Sequence, residues 1–132
     1  MSGAGQDGFV YGLLCFVAGF VFGVLRETVL IPAFGSGPGR LIELPLVTLA
    51  AVTLAWGMVR LRPHRARRVW LAIGLAGVAT LLALESALAL LILRVPLSDY
   101  VAGYDVTEGS LFPVGLAIML CAPAIIATAG RR

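Results

Sequence analysis

Four long apolar runs, separated by short polar stretches, organise this chain. They cover about residues 9–33, 41–61, 69–93 and 111–129. Each is about 20 residues or longer, the length that carries an α-helix through a hydrocarbon layer of roughly 30 Å. A backbone in lipid must satisfy its own hydrogen bonds, so helices are the expected form. The pattern predicts an all-α integral membrane protein. Residues 1–132 form one membrane domain, a bundle of four transmembrane helices.

The stretches between the runs differ in character. Residues 34–40, FGSGPGR, predict a tight Gly/Pro turn between two helices. Residues 60–68, RLRPHRARR, form a basic loop with Pro63 as a helix stop. Residues 94–110 form a longer acidic loop holding Asp99, Asp105 and Glu108. The N-terminal MSGAGQDG has no basic residue ahead of its apolar run, and that run is too long for a secretory signal. It is expected to stay as a span.

Charge gives these spans an orientation. All ten basic residues are arginine, and five of them (Arg60, Arg62, Arg65, Arg67, Arg68) crowd the 60–68 loop. Arginine concentrates in cytoplasmic loops. With that loop inside, both termini are cytoplasmic, which suits the terminal Arg131 and Arg132, and the acidic loop is external. Tyr11, Trp56 and Trp70 then fall near the inner boundary, and Phe34, Tyr100, Tyr104 and Phe112 near the outer one, as interfacial aromatic belts do. The compact, all-arginine design points to a bacterial inner (plasma) membrane.

Composition narrows the chemistry. The chain is 60% hydrophobic and 13% charged, against about 25% charged in soluble domains. Mean hydropathy is +1.00. The net charge of +3 comes from a topogenic loop and predicts no nucleic-acid partner. Cys15 and Cys121 lie singly in apolar runs and read as small core-filling thiols. His64, the only histidine, sits among the loop arginines, so haem held by two histidines is excluded. No GxSxG element or histidine-activated nucleophile is present. No metal site and no cofactor is predicted, and the chain is not expected to be an enzyme.

The informative exceptions are charges inside the runs. Arg26, Glu43 and Glu85 each interrupt a span, where an ionised side chain costs about 2.5–3.5 kcal/mol on insertion scales. Counted from the ends of their spans, all three fall at similar heights in the outer leaflet. Glu43, near the start of its helix with Pro45 in the first turn, is also placed for a favourable helix dipole. Small residues share the faces of these charges. Gly8, Gly12, Gly19 and Gly23 line the face of Arg26 in the first span, and Gly74 lies on the face of Glu85. Small residues let membrane helices approach closely. These glycines are therefore the expected packing surfaces, and Arg26 is expected to meet Glu43, Glu85 or both, with Glu27 adjacent. A bidentate pair with one carboxylate would leave another partly unpaired.

Two roles fit such a cluster. It can lock the helices of a small non-enzymatic subunit or assembly and interaction protein, which joins a larger membrane complex or its own copies. Alternatively, Glu43 or Glu85 can bind protons or cations in a small oligomeric transporter or channel. The length and four-span plan resemble the small multidrug transporters in outline. Their characteristic acidic residue lies in the first span, whereas here the first span carries Arg26 and the acids lie in the second and third. The locking role is the primary expectation.

Overall fold

The structure, a computed structural model, describes residues 3–62, 64–102 and 112–130. The described residues are helical apart from short connections, and no strand occurs among them. α1 spans Gly3–Phe34, α2 Ser36–Leu61, α3 Arg67–Ile92, α4 Leu97–Ala102 and α5 Phe112–Ala129. α1, α2 and α3 are each long and apolar enough to cross a membrane. α5 is apolar throughout but has 18 residues, or ~27 Å at 1.5 Å per residue. Leu111, Pro63, Arg131, Arg132 and the Gly103–Ser110 part of the acidic loop, including Tyr104, Asp105 and Glu108, lie outside the described residues, as do the side chains of Tyr100 and Phe112.

α1 begins at Gly3 and α2 at Ser36, both ahead of their apolar runs. The Gly/Pro-rich segment expected as a turn is therefore mostly helix. Pro38 fits because the first turn of a helix has no use for its N–H groups. Gly35 alone makes the reversal, with φ 91° and ψ 167°, a backbone conformation that L side chains rarely adopt. The Gly39 N–H then donates to the Gly35 carbonyl at 3.0 Å. Gly39 itself lies against the backbone of Leu30 and Ile31, where a Cβ would be 3.2 Å from the Ile31 nitrogen. Because α2 starts early, Pro45 lies inside the helix. The first-turn dipole expected for Glu43 is lost, since that effect fades within the first turn.

Two segments widen into π-helical turns, Arg26–Leu30 in α1 and Ala87–Ile92 in α3. The first has a local cause. Pro32 cannot donate to a carbonyl one turn back, and its ring crowds that carbonyl. In the wider turn, the Ile31 N–H reaches the Arg26 carbonyl instead. The second leads out of α3 through Arg94, whose φ is 54°, just ahead of Pro96.

α1 packs on α2 and α3, and α5 packs on the same two helices, so the four long helices close a ring. Glycine sets the closest approaches. A Cβ at Gly8 would fall on Ala76 and the Ile73 carbonyl; one at Gly12 would fall on the Gly77 carbonyl and Thr80. Gly74 lies against the Leu120 carbonyl of α5. Gly19 and Gly23 differ from expectation, because a Cβ at either would meet nothing within 4 Å. The small-residue face of α1 is thus in close contact along its Gly8–Gly12 half and open along its Gly19–Gly23 half.

Small residues also bring large rings inside. Tyr11 and Trp70 are fully buried, not interfacial as their positions suggested. The Tyr11 ring fits over Gly77, and its hydroxyl donates to the Met119 carbonyl of α5 at 2.8 Å. Ala51, Ala55, Ala122, Ala124 and Ala127 complete the interior beside Ile73 and Met119. Phe20, Val21, Leu49, Leu75 and Ile125 face outward and are at least half exposed, as lipid-facing side chains are.

Candidate functional site

The sequence-predicted charges meet at one end of the ring. Arg26 lies eight residues before the end of α1, Glu43 seven after the start of α2, and Glu85 seven before the end of α3. At 1.5 Å per residue, all three sit ~10–12 Å from that end. The Arg26 Nη1 donates to the Glu43 carboxylate at 2.6 Å, joining α1 to α2. Its Nε donates to Glu27 at 3.3 Å. The guanidinium therefore divides between two carboxylates and does not grip one bidentately. Glu27 follows Arg26 on the same helix and reaches the Nε side, leaving one terminal nitrogen to face α2.

Burial grades these partners. The Glu43 side chain is 13% exposed, Arg26 30% and Glu27 60%. The pair between the helices is the sheltered one, while the partner in the Arg26–Glu27 contact is largely exposed. Glu85 is half-buried and close enough to interact electrostatically with Arg26 and Glu43. Among the described residues it forms no ion pair within 4 Å. The structure thus gathers all three charges but bonds only two of them directly. Among the described side chains, one cation stands beside three carboxylates.

Both π-helical turns flank this layer. Arg26 opens the first, and Glu85 with Ser86 immediately precedes the second. Wide turns of this kind concentrate at functional positions. Here they fall in α1 and α3 beside or just beyond the charged side chains.

A second ionic cluster closes the opposite end, and it was not anticipated. Asp7 in α1 accepts from Arg62 at 3.0 Å and also pairs with Arg65. The basic loop is thereby tied to the first turns of α1. The Arg65 guanidinium also lies 5.5 Å over the Trp70 ring. The signal available in the sequence was weak: Asp7 is a single acid ahead of an apolar run, on the side assigned to the arginines. His64 is exposed. Cys15 is buried beside Tyr11, and Cys121 is partly buried.

Polar groups between the two clusters are few. The Thr53 and Thr80 hydroxyls donate back to the Leu49 and Ala76 carbonyls, four residues earlier, at 2.7 and 2.8 Å. They serve their own helices. Among the described residues no group of three or more His, Cys, Asp or Glu is arranged to hold a metal ion. Compared with protein-family models, curated proteins and solved structures, the chain matches none of them.

Proposed function

We propose that this chain is a small, non-enzymatic membrane subunit or assembly protein. Its four helices form a transmembrane bundle that docks to a larger membrane complex or to its own copies. The observation that carries this reading is the Arg26–Glu43 bond between α1 and α2. The charge placed within the apolar layer is used to join helices. The Asp7 clamp on Arg62 and Arg65 does the same at the other end. A scaffold tied at both ends keeps a fixed outer surface, and docking needs such a surface. Extraction in mild detergent followed by native mass spectrometry checks the proposal. A stable complex with another membrane protein or with further copies of the chain is the expected result; recovery of the chain solely as a monomer would contradict the docking role.

The topology that goes with this reading places both termini and His64 in the cytoplasm of a bacterium and the 94–110 loop outside. Single cysteines at Ala66 and Ser98, in a background without Cys15 and Cys121, report it in intact cells. A membrane-impermeant thiol reagent is expected to label Ser98→Cys and to spare Ala66→Cys. Labelling with the opposite pattern overturns the orientation.

A second reading has one observation in its favour. Glu85 is half-buried beside an ion pair and, among the described residues, forms none of its own. A carboxylate so placed can take a proton or attract a cation, as a small oligomeric transporter or channel requires. Against it, Thr53 and Thr80 commit their hydroxyls to their own helices, which leaves no relay through them from Glu85 towards the Asp7 end.

A further inference from the structure

α5, with Val52 of α2, lines an open apolar groove of about 430 Å³ on the outer surface of the ring. Val52 forms its α2 wall. Its α5 wall runs from Val114 past Ala117 and Cys121 to Ile126, a length of ~18 Å at 1.5 Å per residue. That is about the depth of one leaflet of a hydrocarbon layer roughly 30 Å thick. A groove of this shape on a membrane-facing surface suits a single acyl chain.

Beyond this apolar lining, towards the basic loop, the α2 face changes character. Val52, Trp56 and Arg60 recur every four residues and so form one stripe along α2. Trp56 is half exposed. The Arg60 guanidinium lies over its ring, 4.9 Å from the centroid, a cation–π arrangement that holds the side chain in place. Arg62 and Arg65 are engaged by Asp7. Arg60 is exposed and forms no salt bridge among the described residues. A positive charge stacked on an aromatic ring thus follows Val52 along one α2 stripe, one and two turns beyond the groove's lining towards the basic loop.

We propose that the α2–α5 groove, with Trp56 and Arg60 beyond its lining towards the basic loop, binds an anionic phospholipid of the leaflet facing that loop. One acyl chain lies along Val52 and the α5 wall, and the headgroup phosphate accepts from the Arg60 guanidinium. Guanidinium–phosphate hydrogen bonds are charge-assisted and among the stronger ones available. This site rests on the membrane placement of the chain but not on the docking role.

Quenching of tryptophan fluorescence tests it, because the chain has two tryptophans and Trp70 is fully buried. Subtracting the signal of Trp56→Phe isolates Trp56. The full chain is reconstituted into phosphatidylcholine vesicles containing either phosphatidylglycerol or phosphatidylcholine with brominated acyl chains. Brominated phosphatidylglycerol is expected to reach half-maximal quenching of Trp56 at about one-fifth the mole fraction needed for brominated phosphatidylcholine, as one basic side chain near an anionic surface implies. Arg60→Gln should remove that preference. Ala117→Phe, at an exposed wall position, should weaken quenching by both lipids. Equal quenching by the two lipids in the wild type overturns the site, as does a preference that survives Arg60→Gln. Trp56 shielded from both lipids in a cross-linkable dimer overturns it in favour of a second copy in the groove. Failure of the chain to float with vesicles overturns the membrane placement itself, and is read before any quenching.

Discussion

Replacing Arg26 with glutamine is expected to destabilise the protein by about 3 kcal/mol, the low end of the range for breaking a buried ion pair. The low end applies because the Arg26 side chain is 30% exposed and solvent screens part of its charge. The loss comes mainly from the partner left behind. Glu43 is 13% exposed and would face a low-dielectric layer without its 2.6 Å donor. Glu85 nearby would add repulsion. Combining Arg26→Gln with Glu43→Gln should recover much of the stability, since two neutral amides can hydrogen-bond where one uncompensated carboxylate cannot. Equilibrium unfolding in detergent measures both effects. An Arg26→Gln protein within 0.5 kcal/mol of wild type, a margin typical of inert surface sites, would show that the pair does not hold α1 to α2.

The second large effect belongs to Gly74. A methyl group there would fall on the Leu120 carbonyl, 2.9 Å from its carbon and 3.2 Å from the Leu120 Cα. Backbone atoms cannot swing aside as the end of a side chain can. Gly74→Ala should therefore force α3 away from α5 and cost about 1–3 kcal/mol as overpacking, despite the better helix propensity of alanine. Gly23→Ala is the matched control. Its methyl group would enter open space, so the expected result is neutral or a gain of about 0.5–1 kcal/mol from the lost flexibility of glycine. If Gly23→Ala instead disrupts an oligomer while leaving the monomer intact, the open half of the α1 glycine face is where copies meet.

These two sites show how much was legible in one dimension. Apolar length and the need to satisfy backbone hydrogen bonds made the helices readable. The similar depths of Arg26, Glu43 and Glu85 made their meeting readable too, because depth follows from counting along a helix. What sequence could not supply was the identity of the opposing element. Gly8, Gly12, Gly19 and Gly23 look alike on a helical wheel, yet only the first two meet a neighbour. Tyr11 and Trp70 look interfacial by position; Tyr11 lies inside because the facing helix offers Gly77. Helix starts were misjudged where glycine, serine and proline preceded the apolar runs. Those residues discourage helix interiors but are tolerated in first turns. The Asp7 clamp was missed because an acid outside the apolar run has no local signature. Its meaning depends on Arg62 and Arg65, more than fifty residues away in the chain.

The Arg26–Glu43–Glu85 layer either joins helices or moves charge. Ion flux in reconstituted proteoliposomes tests this most directly, with Glu85→Gln as the comparison, because glutamine keeps the shape of glutamate and removes its charge and titration. The docking account predicts no proton or cation flux above empty vesicles for the wild-type chain. Robust flux that disappears in Glu85→Gln, with thermal stability unchanged, would contradict it and make Glu85 a transport site.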